Sequence, residues 1–337
     1  MSNVPDFDKF PDWMSELPDE LTSIPLGSIT IPGHHIALAI DHDMRYDMDF
    51  SRCNYEMAEF LRKLPNLAIF NNFRNLMKKI WRAWMPKQML SIYHQMEAGS
   101  RYFDIRITKY RSAFYGEHGL YTRQFKKYLK EMKSFIDEHP REVIMLHFQQ
   151  LQQLERTDKR RLVTVLFQIF GAKMARSADL STVTLQLLWR HKKQVIVFFP
   201  GEDMPVIRNH IFAGLVWSDD IVHTTLPKKQ SVPDLVEFLD QHYAENVMNK
   251  RRKDSKLYVT KAVLSPDMTM VFGDFQYKSM RQLSHCETLH TLVTWLRGRS
   301  RFNVVCVDFV GGENLVQSIL LLNGEHAIRQ NKMETVV

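Results

Sequence analysis

The 337-residue chain is 45% apolar and 25% charged, a balance that excludes a disordered chain or a disulfide-framed miniprotein. Its formal net charge of +7 admits phosphate-bearing partners, either nucleic acid or an anionic membrane surface, without choosing between them. Cys53, Cys286 and Cys306 are far apart and lack CxxC spacing, so they read as reduced thiols of a cytosolic protein.

The opening MSNVPDFDKFPDW is acidic and has no apolar h-region, so no signal peptide is expected. No run of about 18 apolar residues predicts a membrane-spanning helix. The first strand is expected at 27–33, ending in a Pro-Gly turn, with His34 and His35 at its exit. Residues 41–99 then make a connection far longer than a usual βα loop. Its middle, NNFRNLMKKIWRAWMPKQML, reads either as an extra helix packed on the fold or as a basic, aromatic lid touching anionic lipid.

Further strands are expected at 101–107, 112–118, 142–148, 194–199, 214–218, 257–264 and 303–309. Amphipathic helical patterns lie between several of them, at 121–139, 158–171, 231–247 and 287–299. In the last, Leu289, Leu292, Val293 and Leu296 repeat at helical spacing and predict a buried face. The run KRRKDSK at 250–256 reads as a solvated loop on the face away from the chemistry. Short apolar strands alternating with helices favour a parallel sheet, and eight is the count that closes a barrel. The expected fold is α/β, a single-domain irregular (β/α)8 TIM-type barrel with a long insertion after the first strand.

In such a barrel, reactive side chains belong at the C-terminal ends of strands. That rule nominates His34 and His35, Asp104 and Arg106, His118, His147 and Gln149, and Asp308. Two histidines, an arginine and an acid suit phosphoryl transfer: one imidazole accepts a proton, the other donates one, and arginine neutralises the phosphate. Each residue also has a structural reading. FDIR could hold an internal ion pair, and Asp308 before GGEN could cap a final helix at 313–323.

The blocks IPLGSITIPGHH, MEAGSRYFDIRI, YGEHGLY, HPREVIMLHF and VVCVDFVGGENLV occur in order over nearly the whole chain. Together with DWMSELP, WSDDIV and LYVTKAVLSP, they resemble the phosphatidylinositol-specific phospholipase C X-domain-containing family. The resemblance implies an N-terminal arm at 1–24, a barrel at 25–323 with the 41–99 insertion, and a tail at 324–337. It implies a phosphoric diester hydrolase in which His35 is the general base on the inositol 2-hydroxyl and His118 the general acid. Arg106 would bind the phosphate, with Asp104 beside it, and Asp308 would orient His35. His34, His147, Gln149 and Trp217 would contact the headgroup.

The large signalling phospholipases hold calcium with acids where this chain has Arg106, so no metal or other cofactor is expected. The implied partners are phosphatidylinositol or a related phosphodiester lipid at a peripheral membrane surface, with no nucleic acid. A cytoplasmic monomer is expected. The chain departs from the family's Ser-His-Asp at His34-His35-Ile36, and from Asp-Phe-Asn-His at His147-Phe148-Gln149-Gln150. Ile36 supplies no polar contact, which keeps open a second reading, a weakly active or non-catalytic binder of headgroups or proteins.

Overall fold

The computed structural model describes residues 6–43, 71–248, 255–273, 278–284, 288–312 and 314–334. Eight strands follow one another in a curled parallel sheet. They are β1 (Ile31–His34), β2 (Tyr102–Tyr110), β5 (Ile144–Gln152), β6 (Val195–Phe199), β7 (Trp217–Ser218), β8 (Val222–Thr225), β9 (Leu257–Lys261) and β10 (Val304–Val307). Their order is β7-β6-β5-β2-β1-β10-β9-β8. Among the described residues no pairing joins β7 to β8, so the curl remains an open half-barrel.

The remaining strands, β3 (Ala113–Glu117) and β4 (Tyr121–Gln124), leave the barrel. β3 runs antiparallel to β2, with Ile107 opposite Gly116, and β4 runs antiparallel to β3. The expected barrel strand at 112–118 is therefore one arm of a hairpin, because only two residues separate it from β2 and no crossover fits in that space. The eighth parallel strand is β8 instead, a half-exposed four-residue VHTT that gives no apolar signal. Tyr121–Gln124 completes the hairpin, and the helix expected from 121 starts at Phe125.

Pro32 and Gly33 lie inside β1 and not in a turn after it. A Cβ on Gly33 would approach side-chain atoms of Tyr102 and Val304 to 3.0 Å, so a larger residue there would press on both neighbouring strands. The final helix, Leu315–Glu334, runs past the expected end at 323. Its Gly324 is a single weak breaker with open space around it, and such a residue costs only about 1 kcal/mol in a helix.

Period-two alternation divides the strand residues between two environments. Tyr102, Met145, Ile196, Phe198, Val259, Val304 and Cys306 pack together within the curl. Phe103, Ile105, Leu146, Phe148, Val197 and Phe199 face outward onto helix residues such as Phe125, Leu129, Met132, Leu162 and Leu166. Val305 and Val307 likewise meet Leu292, Leu296 and Ile319. The expected N-terminal arm is part of this packing, since Trp13 and Met14 are buried with the inner cluster.

Of the insertion, residues 44–70 lie outside the described residues, as do 250–254 of the basic run. The helix Asn71–Trp84 is described, and its Trp81 and Trp84 are buried, as is Met85 just after it. These aromatics face the core, so they belong to the packed-helix reading of that stretch and not to a lipid-touching surface.

Arg101, just before β2, is fully buried and pairs with Glu142, just before β5, at 2.7 Å. It also donates to the carbonyls of Met96 at 2.7 Å and Pro11 at 2.6 Å, tying the arm to the lower end of the sheet. Replacing Arg101 with Met leaves a buried unpaired carboxylate and is expected to cost about 3–5 kcal/mol by urea denaturation. Adding Glu142→Leu in the same chain should recover much of that loss.

Candidate active site

The inward register places one set of polar side chains at the C-terminal ends of the strands. Counting from Tyr102 and Met145, the inward positions next reached are Asp104 and Arg106 on β2, and His147 and Gln149 on β5. His35 follows β1, Lys261 ends β9 and Asp308 follows β10. The backbone holds the two chain-distant members together: His35 N–H donates to Val307 O at 3.0 Å, and Ala37 N–H donates to Asp104 O at 2.9 Å.

His35 Nδ1 lies 3.0 Å from Asp308 Oδ1. A carboxylate only accepts, so the proton sits on Nδ1 and the lone pair on Nε2. That Nε2 is buried without a hydrogen-bond partner. Burial pulls the His35 pKa down, and the Asp308 charge opposes that without reversing it. The imidazole is therefore neutral, with its basic nitrogen buried and unpaired.

Asp308 Oδ2 faces Lys87 Nζ at 3.4 Å. Burial would raise the Asp308 carboxyl, but Lys87 and His35 outweigh it and keep it ionised below its ordinary range. The acid thus orients His35 and does not cap the final helix. On the neighbouring side, Lys261 Nζ donates to Asp104 Oδ2 and to Gln149 Oε1, both at 2.9 Å. Burial would raise Asp104 too, but Lys261, His35 and Arg106 together hold it well below the usual carboxylate range.

His118 arrives by a different route from the one its strand-end position suggests. It sits at the β3–β4 turn, where its Nδ1 donates to Met85 O at 2.8 Å, so Nε2 carries the lone pair of the neutral ring. Burial, then the Lys87 and Arg106 charges, push its pKa well below the ordinary histidine value. His35 also acts on it, which places both imidazoles in one electrostatic neighbourhood.

His147 bridges Tyr102 OH at 2.5 Å and Asp219 Oδ2 at 3.3 Å, beside Gln149 at 3.5 Å. His34 and Trp217 are placed elsewhere. His34 has the opposite parity to His35 and turns outward, its ring edge-on to Phe103 and its Nδ1 bonded to Gln95 Oε1. Trp217 is 1% exposed in the inner core, donating to Ala175 O at 3.2 Å. Neither reaches the mouth, which corrects their expected contact with a headgroup.

The orphaned polar atoms mark the site. Arg106 Nε, Asp104 Oδ1, Asp308 Oδ2 and His35 Nε2 are buried without hydrogen-bond partners at this end of the barrel. Unsatisfied groups concentrated in one place are what a polar ligand would complete. The cationic side chains Arg106, Lys87 and Lys261 outnumber the carboxylates Asp104 and Asp308 here, a balance that favours an anion. No group of three or more candidate metal-ligating side chains occurs among the described residues.

Ile36 adopts φ +43° and is buried at 2% in a cluster with Trp81, Trp84 and Met85. A β-branched residue in that region is strained by about 1–3 kcal/mol. The conformation favours Asn, Asp or Gly, which fits the acid that the family pattern has at this place. Here apolar packing holds the turn instead.

Lys87 and Lys261 were not singled out from sequence. Lys261 left a faint signal, as the inward position after Leu257 and Val259 in an otherwise apolar strand. Lys87 left none, because WMPKQML has no strand or helix period to give it a direction.

Comparison with known proteins follows this geometry. In fold, the chain resembles the phosphatidylinositol-specific phospholipases C. For the Staphylococcus aureus protein the TM-score is 0.61 at 16% identity, covering 92% of this chain and 96% of that one. For the Listeria monocytogenes protein it is 0.62 at 16% identity, covering 94% and 99%. In sequence, it is 30% identical over 325 residues to mouse PI-PLC X domain-containing protein 3, covering 94% of each. Human PI-PLC X domain-containing proteins 3 and 1 are 29% and 26% identical, the first covering 94% of both chains and the second 93% and 92%. No family model matches the chain. The protein belongs to the PI-PLC X domain-containing family.

Burial lowers the His34 pKa from 6.5 to about 4 and that of His242 likewise to about 4. The unfolded chain binds more protons between those values, so stability should fall as pH drops from about 6.5 towards about 4. Each buried histidine can contribute on the order of 3 kcal/mol to that loss. Thermal denaturation across this window, with histidine NMR titration, checks it; a His34 signal titrating near 6.5 would contradict the burial account.

Proposed function

We propose that the chain is a phosphoric diester hydrolase of the phosphatidylinositol phospholipase C type. The observation that carries this reading is the buried, unpartnered His35 Nε2 behind the Asp308 hydrogen bond, with the orphaned Arg106 Nε at the same end of the sheet. The inositol 2-hydroxyl attacks phosphorus while His35 Nε2 takes its proton. The new bond from O2 to phosphorus closes a cyclic phosphodiester as the bond to the glycerol oxygen breaks. His118 Nε2 supplies the proton that the departing oxygen needs. His35 gains the proton that His118 later recovers through solvent.

A neutral His118 is a poor acid, and the free site keeps it neutral because burial, Lys87 and Arg106 all disfavour its charge. A phosphodiester anion beside Lys87 and Arg106 offsets both cations and raises His118 when the acid is required. Arg106 neutralises the phosphate oxygens, Asp104 stands beside Arg106, and His147 and Gln149 contact the inositol hydroxyls. Protein cations supply the charge that calcium gives in the large signalling enzymes, so the reaction is metal-independent. The working form is a cytoplasmic monomer acting at a membrane surface, and among the described residues no helix is long and apolar enough to cross one.

A headgroup-binding module without turnover is the second reading, favoured by one residue. Ile36 is apolar and strained where the family pattern has an acid. Labelled phosphatidylinositol in mixed micelles with chelator separates the two. Wild type should release cyclic inositol phosphate, and His35→Ala and His118→Ala should each lower the rate about 10²–10⁴-fold. No turnover by wild type, even with calcium restored, alongside intact binding to phosphatidylinositol vesicles, would establish the binding module.

A further inference from the structure

Lys87 has no counterpart among the residues that the sequence pattern nominates, yet the fold builds it into the mouth. Its N–H donates to Ala39 O at 2.8 Å, and its carbonyl accepts from Phe309 N at 2.9 Å. The lysine is thus clamped between the turn after β1 and the end of β10, the two segments that supply His35 and Asp308. Its side chain is only 6% exposed, and its ammonium makes one ion pair, to Asp308 Oδ2 at 3.4 Å. An ammonium has three protons to donate, and among the described residues this one has no second acceptor.

We propose that Lys87 is a phosphate ligand of the site, acting with Arg106, and that it exchanges its ion pair with Asp308 for one with the bound phosphate. The proposal rests on the phosphodiester reading above and adds a residue and a switch to it. Asp308 serves two partners through its two oxygens: His35 on Oδ1 and Lys87 on Oδ2. While Lys87 is paired, it absorbs much of the carboxylate's charge and His35 stays neutral and ready to accept a proton. When an anion draws the ammonium away, the full charge of Asp308 faces His35, at the stage when the imidazole becomes cationic.

The contact at 3.4 Å suits such an exchange, because it is an ion pair too loosely aligned to satisfy Oδ2 as a hydrogen bond. Burial and the neighbouring Arg106 both disfavour the Lys87 charge in the free site, and a phosphate relieves both. The other charged groups acting here are Asp104 and Lys261 on His35, His118 beside Lys87, and Glu117 beside Arg106. None of these touches Asp308 Oδ2.

The test reads histidine titration and anion binding on the folded chain, so it does not depend on turnover. In wild type, saturation with inorganic phosphate should raise the NMR titration midpoints of both His35 and His118. Lys87→Met should raise both midpoints in the phosphate-free protein, since His35 then has Asp308 to itself and His118 loses a cationic neighbour. The same variant should bind inorganic phosphate about 10–100-fold more weakly, and Lys87→Arg should restore most of that affinity.

Phosphate that binds wild type and leaves the His35 midpoint unmoved would overturn the exchange. Unchanged phosphate affinity in Lys87→Met would reduce the lysine to a counter-charge for Asp308 and overturn its role as a ligand. Should Lys87→Met fail to fold, the wild-type and Lys87→Arg titrations decide. No binding of inorganic phosphate to wild type overturns the proposal whether or not lipid is cleaved, and lipid cleavage separately decides the enzyme reading.

Discussion

A carboxylate buried at the end of β10 is the constraint on which the rest of the site depends. Asp308 is 4% exposed, and an isolated charge at that depth would protonate or unfold its surroundings. It remains ionised only because the fold brings it a histidine from the segment after β1 and a lysine from within the insertion. Three segments far apart in sequence are thereby joined at one point. The same arrangement sets the His35 tautomer and leaves its second nitrogen buried without a hydrogen-bond partner.

The second carboxylate obeys the same logic. Asp104 is fully buried on β2, and Lys261 from β9 both neutralises it and reaches Gln149 on β5. Parallel strands make these pairings possible, because their C-terminal ends all emerge on one side of the sheet. At the opposite end the Arg101–Glu142 pair does comparable work for stability alone, with its remaining donors taken by backbone carbonyls. The two ends differ in what is left over. The lower pair is saturated with partners, whereas the mouth keeps several buried polar atoms without any.

Two buried apolar residues at the mouth are strained. Ile36 follows His35 at φ +43°, and Phe309 follows Asp308 at φ +50°. Both are buried apolar residues in a backbone region that suits Gly or Asn, and each immediately follows a member of the hydrogen-bonded pair. Packing against the tryptophans of the helix Asn71–Trp84 compensates for the strain at Ile36. The insertion therefore places two things here: an apolar buttress under the turn after His35, and a cation from the segment just after the helix Asn71–Trp84.

The sequence by itself determined which strand ends would carry polar and charged side chains. The C-terminal ends of apolar strands are visible locally, and that was enough to nominate His35, Asp104, Arg106, His147, Gln149 and Asp308, though it nominated His34 with them. It also determined the family, through blocks whose order survives changes in individual residues. Tertiary structure alone decided the rest. His34 turns away from the mouth and Trp217 is lost in the core because parity and closure, not proximity in sequence, set where they point. His118 reaches the site on a hairpin outside the barrel, and Lys87 reaches it from a segment with no period of its own. Partners separated by hundreds of residues leave no mark in a local pattern, and the charge of a buried acid selects them only once the chain is folded.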